Sequence, residues 1–170
     1  MTKARIAISV DRPVRDVFDG LAPALSAPPA VGTPPDSFNV TERTAGQLIA
    51  VVARWGDRQL SARYRFATAD TGMSLDCDYE LTTRSMLGSL GLGGGLTPLI
   101  SDWMQADMQR IPRAVQDAVK AEAERERAAQ PAPGSADDTN RVTVRVAIKI
   151  KVQVPPGVKI DPSRIGPHAS

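Results

Sequence analysis

Apolar and polar residues alternate along residues 60–68 (LSARYRFAT) and again along residues 73–81 (MSLDCDYEL). This period of two is typical of a β-strand that buries one face. A turn at residues 69–72 would join the two segments into an antiparallel hairpin with its apolar side chains on one face. A shift of one residue would move all of those side chains to the other face, so the pattern also predicts the register. The predicted apolar pairs are Tyr64–Cys77, Phe66–Leu75 and Ala62–Tyr79.

A second turn, at Gly56-Asp57, predicts the same apolar face independently. This dipeptide is typical of a two-residue hairpin turn, and it pairs a strand at residues 47–55 with residues 60–68. Both hairpins place Tyr64 on the apolar face, so the two turns support each other. The pairs predicted from this turn are Ala53–Leu60, Val51–Ala62 and Ile49–Tyr64.

Two further strands and two helices complete the predicted elements. Residues 4–10 and 38–43 alternate like strands. A short helix follows the first of them, with Asp11 as its N-cap and Pro13 in its first turn. Residues 98–128 form a long amphipathic helix, because one stripe of side chains recurs at three- and four-residue intervals. We therefore predict an α+β fold in which a curved antiparallel sheet grips one long helix. The stripe contains Ile100, Trp103, Met104, Asp107, Met108, Ile111, Val115 and Val119.

Changes of composition divide the chain into four parts. Residues 1–128 form the sheet-and-helix domain, and the glycine-rich residues 88–95 read as a hinge before the long helix. Residues 129–140 (AQPAPGSADDTN) are typical of a flexible linker. Residues 141–154 (RVTVRVAIKIKVQV) predict an extra β-strand, since valine or isoleucine occupies every second position. Residues 155–170 form a Pro/Gly-rich tail.

The extra strand needs a partner. An isolated strand cannot satisfy its backbone hydrogen bonds, and its seven branched side chains would remain in water. We expect it to pair with a free edge of its own sheet, with a second copy in a homodimer, or with another protein. Its basic face would discourage the addition of a further strand.

Charge and cysteine content exclude several classes of function. Residues 141–170 contain six Lys/Arg and one Asp, whereas residues 1–140 contain 15 Lys/Arg and 18 Asp/Glu, so the fold portion is acidic and nucleic-acid binding is not expected. The lone Cys77 excludes an internal disulfide and favours a cytoplasmic location. His168 in the tail is the only histidine, so we expect no metal site, no cofactor and no His-based catalysis. No apolar run is long enough to cross a membrane.

Aromatic and polar side chains on the predicted inner faces are typical of a ligand pocket. Asp107 is the one acid in the helix stripe. It either faces the interior, where its pKa would be raised and it could act as an acid or an orienting group, or lies at the edge of the stripe, which is the reading we favour. The predicted pocket is lined by Trp55, Tyr64, Phe66, Cys77, Tyr79, Trp103, Met104, Asp107 and Ile111.

The order of these elements resembles the START/SRPBCC superfamily, which has the helix-grip fold of polyketide cyclases and lipid-transfer domains. The resemblance covers residues 4–125 and rests on three segments: RIAISVDRPVRDVFDGL, ARYRFATADTGMSLDCDYEL and LTPLISDWMQADMQRIPRAV. It implies a hydrophobic cavity between sheet and helix, and the binding, cyclisation or dehydration of apolar compounds. This chain has fewer strands before the long helix than the family pattern and continues beyond that helix.

Three functions are compatible with the sequence. The first is binding or carriage of a small apolar molecule. The second is a polyketide cyclase-like or dehydratase-like enzyme that holds a flexible substrate in a reactive shape. The third is an assembly protein that docks through residues 141–154 by strand addition. The scarcity of inward-facing ionisable residues favours the first over the second, and no catalytic residue is assigned.

Overall fold

The computed structural model describes residues 1–30, 32–84, 96–129, 146–155 and 160. In this part of the chain six strands form one antiparallel sheet in the order β2-β3-β4-β5-β1-β6. Two helices, α1 and α2, complete the described elements. Their bounds are β1 Thr2–Val10, α1 Val14–Leu25, β2 Ser37–Thr44, β3 Leu48–Trp55, β4 Arg58–Ala69, β5 Gly72–Thr83, α2 Leu96–Ala129 and β6 Ile148–Gln153.

Both predicted hairpins are confirmed residue by residue. Tyr64 of β4 lies opposite Cys77 of β5 on one side and opposite Ile49 of β3 on the other. Gly56 has a positive φ of 57°, which the two-residue turn between β3 and β4 requires and which glycine adopts at little cost. The remaining predicted apolar pairs are also present: Phe66–Leu75, Ala62–Tyr79, Ala53–Leu60 and Val51–Ala62.

The extra strand pairs within its own chain. β6 runs antiparallel to β1, from Ile148 opposite Val10 to Gln153 opposite Arg5. Its apolar residues Ile148, Ile150 and Val152 are half-buried on the same face as the core residues of β1. This is one of the predicted arrangements, and exchange with a second copy stays a prediction. The strand is shorter than the predicted range, of which residues 141–145 lie outside the described residues.

The helices cover the inner face of the sheet. Val17, Phe18 and Leu21 of α1 are buried, as is the predicted stripe of α2. The two helices approach closely, because a Cβ atom on Gly20 would lie 2.4 Å from the Cβ atom of Ala118. The fold class is therefore confirmed: a curved antiparallel sheet grips one long helix and carries an additional C-terminal strand.

The prediction for the start of α1 is wrong. Pro13, rather than Asp11, is the N-cap, and no side chain caps the helix there. The carboxylate of Asp11 instead accepts a hydrogen bond from the backbone N–H of Ala147 at 3.1 Å, so it secures the chain beside β6. The tertiary structure brings the N–H of Ala147 close to Asp11, so the carboxylate binds this group instead of capping α1.

Several sequence predictions concern residues outside the described part of the chain. These are the glycine hinge at residues 88–95, all but the first residue of the linker at 129–140, and nearly all of the tail at 155–170. The division into domain, linker, strand and tail accordingly stays a prediction. None of the described helices is long and apolar enough to cross a membrane.

Candidate functional site

Asp107 lies in the middle of the core. Its exposure is 0%, and it is the one charged residue among the buried residues that the structure describes. Met104 and Ile111 precede and follow it by about one turn on the same face of α2, and both are fully buried. The favoured reading, in which Asp107 lay at the edge of the stripe, is therefore wrong.

Three hydrogen bonds converge on the carboxylate of Asp107. The hydroxyls of Tyr64 and Tyr79 donate to Oδ2 at 2.7 and 2.8 Å. Nε of Arg110 donates to Oδ1 at 2.6 Å and forms an ion pair one helical turn along α2. Because each of these bonds is donated to the carboxylate, the arrangement matches its ionised form.

Arg110 connects the carboxylate to a second helix. Its Nη1 donates to the backbone carbonyls of Ala24 and Ala27, each at 2.8 Å, where α1 ends. Its Nη2 donates to the hydroxyl of Tyr64 at 3.3 Å. The planar guanidinium thereby joins α2, the end of α1 and the sheet through one side chain, which is a geometry that lysine cannot reproduce.

Burial and charge shift the pKa of each of these groups. Burial raises the pKa of Asp107 above 3.8, although the charge of Arg110 and the hydrogen bonds from the tyrosines oppose this shift. Burial, and then the negative charge of Asp107, raise the pKa values of Tyr64 and Tyr79 well above 10.0. Burial lowers the pKa of Arg110, but the charge of Asp107 outweighs it, so that pKa is raised. Both phenols are therefore neutral donors at neutral pH.

Cys77 belongs to the same cluster without being reactive. Its side chain is fully buried, and it lies opposite Tyr64 in the sheet. Burial, followed by the charge of Asp107, raises the pKa of the thiol well above 9.0. Because the thiolate is the nucleophilic form, this cysteine acts as a small apolar side chain.

An aromatic cluster lies between this polar network and the surface. Trp103 is fully buried, and its Nε1 donates to the hydroxyl of Tyr64 at 3.3 Å. Phe38 stacks against it with ring centroids 6.3 Å apart, and Trp55 meets it edge-on at 5.8 Å. Phe38 and Trp55 are only partly buried, as is Leu99 at the start of α2. These partly exposed rings mark the point where the interior approaches the solvent.

The predicted pocket residues fall into three groups. Tyr64, Cys77, Tyr79, Trp103 and Asp107 come together around the polar network, with Trp55 at its outer side. Met104 and Ile111 are fully buried beside them on α2. Phe66 lies elsewhere, because its ring packs edge-on against Phe18 of α1 at 4.9 Å. As lining of a ligand pocket, the set stays a prediction.

Sequence reasoning missed two members of this site, Arg110 and Phe38. Arg110 follows Asp107 by three residues, a spacing that brings opposite charges together on a helix, so the pattern contained a usable signal. Phe38 could be assigned to a strand, but its contact with Trp103 depends on how the helix crosses the sheet. In the described residues no group of three His, Cys, Asp or Glu side chains could hold a metal ion.

Comparison with known proteins gives matches to solved structures at low sequence identity and low TM-score. No family model and no curated protein matches the chain. The solved structure of NE0264 from Nitrosomonas europaea is 12% identical with a TM-score of 0.40, and the match covers 72% of this chain and 97% of that one. The Zhui aromatase/cyclase from Streptomyces sp. R1128 is 21% identical with a TM-score of 0.31, and the match covers 78% and 99%. At these values the similarity transfers no activity or ligand.

The element order and the sheet around α2 are the features that the predicted resemblance required. The chain has a helix-grip fold. In this helix-grip chain the interior is filled by side chains of the sheet and of both helices. Its polar end is the Asp107 network, and its aromatic end is the cluster around Trp103.

Proposed function

We propose that the protein binds a small hydrophobic ligand between the sheet and α2, entering beside Trp103. The observation that carries this proposal is the partly exposed aromatic set of Phe38 and Trp55 around a fully buried indole. Aromatic rings offer a large apolar contact area, which suits an apolar ligand.

Binding requires the interior to open. The side chains of Tyr64, Cys77, Trp103, Met104, Asp107 and Ile111 are at 0% exposure. A ligand must therefore displace side chains or move the first turns of α2, and its affinity is reduced by the cost of that change.

The enzymatic alternative receives no comparable support. Asp107 is the one buried acid of the described residues, and Arg110 together with two tyrosines already occupies its carboxylate. A general acid or base needs a proton-transfer position open to the substrate. We propose that the protein binds its ligand without a cofactor. We also propose a cytoplasmic location, which the single free Cys77 favours.

Titration with an apolar fluorescent dye tests this function. The dye should bind saturably and change the emission of the two tryptophans, and Trp103→Ala should weaken binding by about tenfold because an aromatic contact surface is lost. Val40→Thr is the matched control, since Val40 is 41% exposed and reports only adhesion to the surface. Absence of saturable binding, or equal affinity of the Trp103 variant, would refute the proposal.

A further inference from the structure

The chain between α1 and β2 crosses the region where the interior approaches the solvent. We call residues 27–30 and 32–35 the crossing segment; they are rich in proline. Backbone hydrogen bonds hold the residues at both ends of the crossing segment. Ser26 closes the last turn of α1 through its N–H to Ala22, and Asp36 is bound to β3 through its N–H to Arg54.

Between those ends the crossing segment is held by side chains. Among the described residues it makes no backbone–backbone hydrogen bond. Arg110 donates to the carbonyl of Ala27 at 2.8 Å, and the indole Nε1 of Trp55 donates to the carbonyl of Thr33 at 3.0 Å. Pro29 is buried. Two side-chain hydrogen bonds and one apolar contact therefore keep this segment in place.

The two hydrogen bonds lie at the two ends of the candidate site. Arg110 belongs to the polar network, whereas Trp55 belongs to the aromatic cluster. The segment thus runs beside α2 from the level of Arg110 to the level of Trp103.

We propose that the crossing segment is the gate of the interior and that Arg110 and Trp55 are the positioning residues that hold it closed. This inference rests on the proposed function, because it names how a ligand reaches the same site. Opening breaks two hydrogen bonds and exposes one proline, while the sheet and both helices keep their backbone hydrogen bonds. The two hydrogen bonds that hold the gate are present both before and after the ligand enters. They therefore control the rates of ligand association and dissociation more than the affinity.

Stopped-flow measurement of dye association and dissociation tests the gate. Arg110→Lys keeps the positive charge beside Asp107 but cannot donate to the carboxylate and the carbonyls together. Trp55→Phe keeps a ring and removes the donor to Thr33. Each variant should raise the association rate constant about tenfold, as expected from the loss of one hydrogen bond that holds the gate closed. Arg113→Lys, at an exposed position of α2, is the matched control.

A measurement without ligand separates this inference from the proposed function. In Trp55→Phe the only remaining tryptophan is the buried Trp103, so acrylamide quenching reports its exposure directly. Adding Arg110→Lys should increase quenching under conditions where urea unfolding shows the protein to be native. If the dye does not bind the unaltered protein but quenching rises, the binding function fails and the gate stands. If neither exchange rates nor quenching change, the gate is refuted.

Discussion

Replacing Asp107 by asparagine should destabilise the fold strongly while leaving its shape unchanged. Asparagine has almost the same volume, so no cavity forms. It removes the negative charge that faces Arg110, of which 18% of the side chain is exposed. A buried guanidinium without a counter-charge is unfavourable, and breaking such a pair from one side costs about 3–5 kcal/mol. Because Arg110 retains two backbone carbonyls as acceptors, we expect the lower end of this range.

Urea unfolding followed by tryptophan fluorescence measures this loss. Tyr79→Phe is the matched comparison, because it removes one hydrogen bond to the carboxylate and leaves the ion pair in place. It should cost about 1.5–3 kcal/mol, as bonds to charged groups do. Asp107→Leu combined with Arg110→Met removes both charges together. This double variant should lose less stability than Asp107→Asn, since neither charge remains buried alone.

The relative sizes of these three losses of unfolding free energy test the reasoning. If Asp107→Asn costs no more than Tyr79→Phe, the charge of Asp107 does not support Arg110 in the way the geometry indicates. If the double variant is the least stable of the three, the polar network contributes more than the removal of an unpaired charge can explain.

Three further results are expected. The only two tyrosines of the chain are buried with raised pKa values. Their contribution to stability is therefore full below pH 10.0 and is lost as the pH rises through their folded-state pKa values. Tyrosinate absorbance should then appear together with unfolding, and its appearance in the native protein near pH 10 would contradict this prediction. Gly20→Ala should cost about 1–3 kcal/mol through overpacking against Ala118, and Gly20→Ala with Ala118→Gly should recover most of the loss in thermal unfolding. Truncation after Gln130 should lower the melting temperature because it uncovers the edge of β1, or should convert a dimer to a monomer in light scattering if the strand is exchanged between copies. An unchanged melting temperature and mass would refute both arrangements.

The hairpins could be predicted because two local signals had to agree. The turn at residues 69–72 and the turn at Gly56-Asp57 each fix a register, and both place Ala62 on the apolar face. Strand pairing over a short turn depends on neighbours in sequence, which a pattern contains. The position of β1 between β5 and β6 could not be derived in the same way, since its alternation specifies a buried face but no partner.

Most residues of the candidate site could be predicted from the sequence, but their contacts could not. The helix stripe placed Asp107 among apolar residues, which is the kind of local conflict that often marks a functional or strained position. Its burial depends on donors from three elements: Tyr64 from β4, Tyr79 from β5 and Arg110 from α2. The periodicity of a sequence does not show where hydroxyl groups from two strands meet a helix. The tertiary structure was therefore needed to decide whether Asp107 lies in the interior or at the edge of the stripe.

The polar network has a structural role that an apolar core could perform at least as well. Replacing a buried ion pair by apolar residues of similar volume is often neutral or stabilising. The network therefore needs a reason beyond stability, and two are available: it fixes α1, α2 and the sheet in one arrangement, and it would form the polar end of the proposed ligand site. The variant with Asp107→Leu and Arg110→Met separates these reasons. A stable variant that no longer binds the dye would assign the network to the ligand, whereas a stable variant with unchanged affinity and faster exchange would assign it to the gate.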